Sequence, residues 1–177
     1  MKIASIAFTE NGAKIVKMLV HEMGVKGYVF EKYNTDGLET FNNVSSLVRD
    51  IFKKYNAIVF VGACGIAVRS IAPYVKDKAK DPAVVVVDEK GPILSGHIGG
   101  ANDLAEKIAA LISGVAIITT ATDINKKFSV DTFAVRNNLH IGDTKLIKEI
   151  SSRILNDKKV GLYTDYELKN VPDCFEE

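Results

Sequence analysis

Ser95-Gly96-His97-Ile98-Gly99-Gly100 sets a hydroxyl, an imidazole and three glycines within six residues. An imidazole exchanges a proton near neutral pH and so suits general acid–base work. Gly96, Gly99 and Gly100 let backbone N–H groups approach a ligand with no Cβ in the way. A helix beginning near Ala101 would turn its unpaired N–H groups and the positive end of its dipole into the same space, as an anion site needs. Ser95 adds a group that can donate or accept. The same spacing also fits a plain tight loop, with glycines for the turn and His97 as a satisfied, partly buried side chain. It is not a dinucleotide fingerprint, because the glycine spacing differs. Nor is it a Walker-type phosphate loop, because no Lys-Ser/Thr follows the glycines.

Two further junctions have similar character. Gly62-Ala63-Cys64-Gly65 precedes a helical run carrying Arg69, where a guanidinium can grip a carboxylate or simply face solvent. Cys64 has no partner base nearby in sequence and reads as a small buried filler. Thr119-Thr120-Ala121-Thr122-Asp123 places three hydroxyls and a carboxylate at a strand end. Such residues suit polar ligand groups, the orienting of His97 or a water by Asp123, or the capping of the next element. Asp88 and Glu89 follow a valine run. Successive strand side chains point to opposite faces, so at most one of the two enters a cleft.

The elements that must position these groups alternate. Lys2–Phe8, Gly27–Tyr33, Ala57–Val61, Ala83–Val87 and Val115–Ile118 read as strands, the last three as buried apolar runs. Apolar residues at helical spacing lie between them: Ile15, Met18, Leu19 and Met23; Val44, Leu47, Val48, Ile51, Phe52 and Tyr55, capped by Asn42 or Asn43. Ile66, Ala67, Ile71 and Val75 continue the series, reshaped near Pro73, and Leu104, Ala105, Ile108, Leu111 and Ile112 form a helix stopped by Gly114. This alternation predicts an α/β fold, an open, mostly parallel sheet with helices on both faces, followed by the start of a second small α/β region. Ligands of such sheets bind beyond the carboxyl ends of the strands. All three junctions are expected there, lining one cleft.

After Asp123 the pattern changes. Ser129 is placed to cap a short helix carrying Val130, Phe133 and Ala134. The polar stretch Asn137–Gly142 predicts a boundary, giving an N-terminal α/β domain over 1–136 and a partial middle region over 137–177. That region holds a helix through Leu146, Ile147, Ile150 and Ile154 and a strand at Lys159–Tyr163.

Composition excludes several classes. With 47% hydrophobic and 25% charged residues, the chain is ordinary globular material. A net charge of +1 supplies no field for nucleic acid or an anionic membrane. Cys64 and Cys174 show no CxxC spacing, and two thiols with three histidines make no zinc pattern, so no metal site is expected. A reducing compartment fits such cysteine usage. Glu10 interrupts the first apolar run too early for a signal peptide, and no run approaches a bilayer span, so a soluble cytoplasmic protein is expected.

Four blocks in order, Gly62–Pro73, Lys80–Glu89, Leu94–Asn102 and Ile118–Asp123, resemble the cobalamin biosynthesis protein CbiG family. The resemblance runs from Met1 into Val160-Gly161-Leu162-Tyr163, which is similar to the start of the family's middle region. It implies the anaerobic route to vitamin B12 and a cobalt-precorrin-5A hydrolase. In that reaction water opens a δ-lactone on the corrin precursor, and a two-carbon fragment leaves as acetaldehyde to give cobalt-precorrin-5B. The cobalt belongs to the substrate, so no cofactor is implied.

The step needs a base for water, a donor to the lactone carbonyl and a later proton donor. Side-chain chemistry then assigns His97 as acid/base, with Asp123 or Glu89 as helper. The N–H groups of Gly96, Gly99 and Gly100 become carbonyl or carboxylate donors, and Arg69 a carboxylate anchor. Gly62, Gly65, Ser95, Asn102, Thr119 and Thr120 complete the expected substrate contacts. The family's chain is longer and carries a further C-terminal domain. A second reading is therefore a tetrapyrrole-binding module that needs a separate C-terminal partner chain for activity. A third, a nucleotide-binding regulatory domain, lacks a phosphate motif.

Overall fold

A computed structural model describes residues 1–77, 80–95, 100–119, 125, 127–137, 139–165 and 173–176. The chain divides into two compact units, Met1–Ile118 and Thr119–Glu177. The division falls ahead of the polar 137–142 connection, which lies inside the second unit.

The first unit is built on a seven-stranded sheet in the order β3-β2-β1-β4-β5-β6-β7. Its strands are β1 (Ile3–Ala7), β2 (Lys26–Phe30), β3 (Glu39–Phe41), β4 (Ala57–Val61), β5 (Ala83–Val87), β6 (Pro92–Ser95) and β7 (Val115–Ile118). Its helices are α1 (Glu10–Met23), α2 (Val44–Ile51), α3 (Cys64–Ile71) and α4 (Ala101–Ile112). Thr9 caps α1 by accepting from the Gly12 N–H, and Asn43 caps α2 by accepting from Ser46. Gly24, at φ +63°, ends α1 in the left-handed conformation that glycine adopts without strain.

Strands β1 to β5 are parallel. Strand β6 is not: Val85, Val86 and Val87 face Ser95, Leu94 and Ile93, so β6 returns antiparallel along β5, and β7 runs with β6. The reversal is a tight turn over Asp88–Gly91, in which Gly91 N–H donates to Asp88 O at 3.1 Å and Lys90 N–H donates to Asp88 Oδ1 at 2.8 Å. The sequence pattern shows no strand between Ala83–Val87 and the helix through Leu104. The structure makes a hairpin there.

Two apolar layers explain the unbroken strands. Ala57, Val59 and Val61 join α1 and α4 residues such as Val16, Leu19, Leu104 and Ile108 on one face. Ile58 and Phe60 join Val48 and Ile51 of α2 and Ala67 of α3 on the other. A strand covered on both faces has no polar side to present, which is why β4 and β5 show no alternation. Strand β7 departs from expectation. Its Val115 is 68% and Ile117 40% exposed, while Ala116 packs on the core. It is the sheet's last strand, so the apolar run reports one covered face rather than two.

In the second unit, α5 (Val130–Arg136) and α6 (Thr144–Leu155) accompany a parallel pair, β8 (Val160–Gly161) and β9 (Phe175–Glu176). Ser129 Oγ accepts from Thr132 N–H at 3.4 Å, as a cap of α5 should. Phe128 packs against Phe133 and Phe175 with ring centroids 5.3 and 4.8 Å away.

Candidate functional site

At the carboxyl edge of the parallel strands, the ends of β1, β4 and β5 bring Thr9, Gly62 and Glu89 together. Thr9 Oγ1 donates to Glu89 Oε1 and accepts from Gly12 N–H at 3.0 Å, tying the start of α1 to the β5–β6 turn. Gly62 has φ +151°, and its N–H donates to Val87 O at 2.9 Å. That φ favours glycine, and a Cβ there would stand 3.2 Å from the Phe8 ring, which would have to shift by a few tenths of an ångström.

Helix α3 then starts behind Ala63, which has no side chain to cap it. Arg69 folds back along the helix, so that a Cβ on Gly65 would lie 3.1 Å from its Nη1. A guanidinium near the N-terminal turn adds to the helix's positive end instead of opposing it, which favours a carboxylate in front of both. Cys64 is exposed and is therefore not the buried filler its size suggests.

Different candidates lie toward the amino edge of the same strands. Ser95 ends β6 opposite Val85 and is the Cα partner of Ile118, the last residue of β7. Helix α4 begins after Gly100, at φ +93°, and runs back to Gly114, beside which Val115 N–H donates to Gly91 O at 3.1 Å. Asn102 lies half-buried in its first turn. Gly96, His97, Gly99, Thr120 and Asp123 lie outside the described residues. Thr119 is exposed and opens the second unit.

The expectation that the Ser95–Asn102 stretch follows directly on the carboxyl end of Ala83–Val87 is therefore corrected. Gly62, Gly65, Arg69 and Glu89 stand at the carboxyl edge; Ser95 and Ile118 are paired at the level of Val85, where β6 and β7 end while running toward the opposite edge. The cause is the missed hairpin. Asp at the first and Gly at the fourth position of 88–91, followed by the apolar Ile93 and Leu94, was the available signal. Thr9 was also missed, although a threonine just before a helical stripe is a cap signature.

The amino edge also holds a phenol pair. Tyr28 OH and Tyr55 OH lie 3.1 Å apart, and Lys2 Nζ sits 4.9 Å from the Tyr55 ring centre. Burial first, and then the Tyr55 hydroxyl, raise the Tyr28 phenol above its ordinary range. The Glu39 carboxylate, 2.5 Å away, raises Lys26 beside it. Among the described residues no group of three or more His, Cys, Asp or Glu is gathered as a metal would require. No helix among them is long and apolar enough to cross a membrane.

The first unit is thus an open, mostly parallel α/β sheet, a class in which ligands bind beyond the carboxyl ends of the strands. Residues 46–123 match the family described as cobalamin synthesis G, N-terminal, and residues 128–174 the one described as the cobalamin biosynthesis central region. The chain belongs to the CbiG family and carries its N-terminal and central regions.

Over 97% of its length it is 38% identical to the cobalt-precorrin-5A hydrolase of Salmonella typhimurium, covering 51% of that protein. It is 34% identical to the enzyme of the same name from Priestia megaterium, over 90% of this chain and 46% of the relative. The crystal structure of a cobalamin biosynthesis protein G homologue from Sulfolobus solfataricus superposes with a TM-score of 0.56 at 26% identity, covering 99% of this chain and 52% of the other. The chain thus spans about half the length of the curated relatives it matches.

Proposed function

We propose that this chain acts in the cytoplasm on cobalt-precorrin-5A, providing the hydrolytic opening of its δ-lactone and the release of acetaldehyde that yields cobalt-precorrin-5B. The observation that carries this reading is identity to proteins named for that hydrolase along nearly the whole of this chain. The cobalt arrives with the substrate, and the chain's own residues supply protons and hydrogen-bond donors. His97 is the acid/base that takes a proton from water and later returns one.

Asp123 or Glu89 is its helper, and Glu89 is held by Thr9 at the carboxyl edge. Backbone N–H groups of Gly96, Gly99 and Gly100 stabilise the charge that develops on the lactone oxygen. Arg69 and the uncapped start of α3 suit a carboxylate of the macrocycle's rim.

Because the chain spans half of its relatives, a second reading stands beside the first: it binds the corrinoid, and turnover needs the other half of the family's chain. Acetaldehyde release from cobalt-precorrin-5A, assayed with this chain alone and with that half added, separates them. Release by the chain alone supports the first reading, and release only on addition supports the second. If neither mixture releases acetaldehyde and the corrinoid does not bind, both are wrong.

A further inference from the structure

Among the described residues, strands β6 and β7 are covered on one face and exposed on the other. Towards α4, the register aligns Val87, Ile93 and Ala116 across β5, β6 and β7; the first two are fully buried, and Ala116 packs on them. Towards α2 and α3, the same register aligns Val86, Leu94 and Ile117, and exposure climbs from 8% to 37% to 40% along that row. Val115, on the same face of β7, is 68% exposed. Among the described residues of the first unit, the covering layer stops at β5.

A contiguous exposed apolar strip marks an interface. No charged residue interrupts Val115-Ala116-Ile117-Ile118-Thr119, so the strand lacks the lysine, proline or bulge that usually guards an exposed edge.

We propose that this strip is the docking face for the half of the CbiG chain that lies outside the match, whether fused or separate. Relatives that align along 97% and 90% of this chain extend it by about as many residues again, which is the material to cover such a face. The strip's lack of charge requires an equally apolar layer from the partner, with any polar contacts confined to the rim. The inference rests on the family's remaining half being part of the working molecule. It does not depend on lactone chemistry.

The test mixes this chain with a purified polypeptide carrying the unmatched half of the Salmonella typhimurium relative, and separately with that of the Priestia megaterium one. Complex formation is followed by sedimentation and titration calorimetry, with no corrinoid present. A one-to-one complex is expected. Ile117→Lys and Val115→Lys should each weaken it tenfold or more, while Met18→Lys, an exposed position on α1, should leave it unchanged. Unfolding midpoints of all three variants should match the wild type, since the side chains are exposed. Absence of a complex with both halves, or Ile117→Lys binding as tightly as wild type, overturns the proposal. So does a wild-type dimer that Ile117→Lys dissolves, which would give the face to a second copy. Because binding alone is read, failure here leaves the hydrolase reading standing.

Discussion

The two edges of the sheet carry the same kind of residues and are held differently. At the carboxyl edge, Thr9, Gly62 and Glu89 are tied by side-chain and backbone hydrogen bonds to one another's strands. Toward the amino edge, Ser95 and Ile118 are paired strand ends from which two polar, glycine- or threonine-bearing segments depart. One reversed strand separates the two. Without β6 running back along β5, Ser95 and Glu89 would follow from the same side of the sheet.

The largest expected effect tests that separation. His97→Ala should cut acetaldehyde release by about 100-fold or more, the usual worth of a general acid–base group, in whichever form of the protein turns over. Glu89→Gln keeps a side chain that can accept from Thr9 and should leave turnover near wild type. Equal losses in the two variants would break the comparison, because they would put both groups in one site.

The hairpin itself can be challenged next. Gly91 and Gly114 meet so closely that a Cβ on Gly114 would lie 2.4 Å from Gly91 O, a backbone atom that cannot swing away. Gly114→Ala should therefore destabilise the chain by about 2–3 kcal/mol, as overpacking does. Gly142→Ala, where no atom lies within 4 Å of the added carbon, is the control and should fall within about 0.5 kcal/mol of wild type in urea. A neutral Gly114→Ala would mean that the β6 return is not held there.

The sequence made some of this plain and hid the rest for identifiable reasons. Ala57–Val61 and Ala83–Val87 are strands with the expected bounds, because an apolar β-branched run between turn residues has few other folds open to it. Asn43 and Ser129 cap the helices that follow them. Strand β3 and strand β6 were not legible, since three or four residues are too few to show a period. Losing β6 was the costly miss. Topology decides which loops share an edge, and a single short antiparallel strand turns the next strand end the other way. Val115–Ile118 misled in another way: four apolar residues look alike whether one face is covered or two.

The smallest expected effect belongs to the amino edge, where Asn56 and Lys2 join the starts of β4 and β1 through N–H donations of 2.8 Å in each direction. Tyr28 and Tyr55 share a hydrogen bond on this side of the molecule. The folded chain holds the Tyr28 proton more tightly than the unfolded chain, which releases it near pH 10. A raised folded value stabilises fully below the unfolded one, so stability should be level up to about pH 9 and fall as the pH climbs through 10 and above. Lys26, raised by Glu39, acts with the same sign, but its exposure keeps its part small. Tyr28→Phe removes the hydroxyl pair and should cost about 1 kcal/mol at pH 8. It also removes the alkaline loss, so urea midpoints of variant and wild type should converge between pH 9 and 11. Midpoints that instead fall in parallel would show that the alkaline weakness lies elsewhere than in this phenol pair.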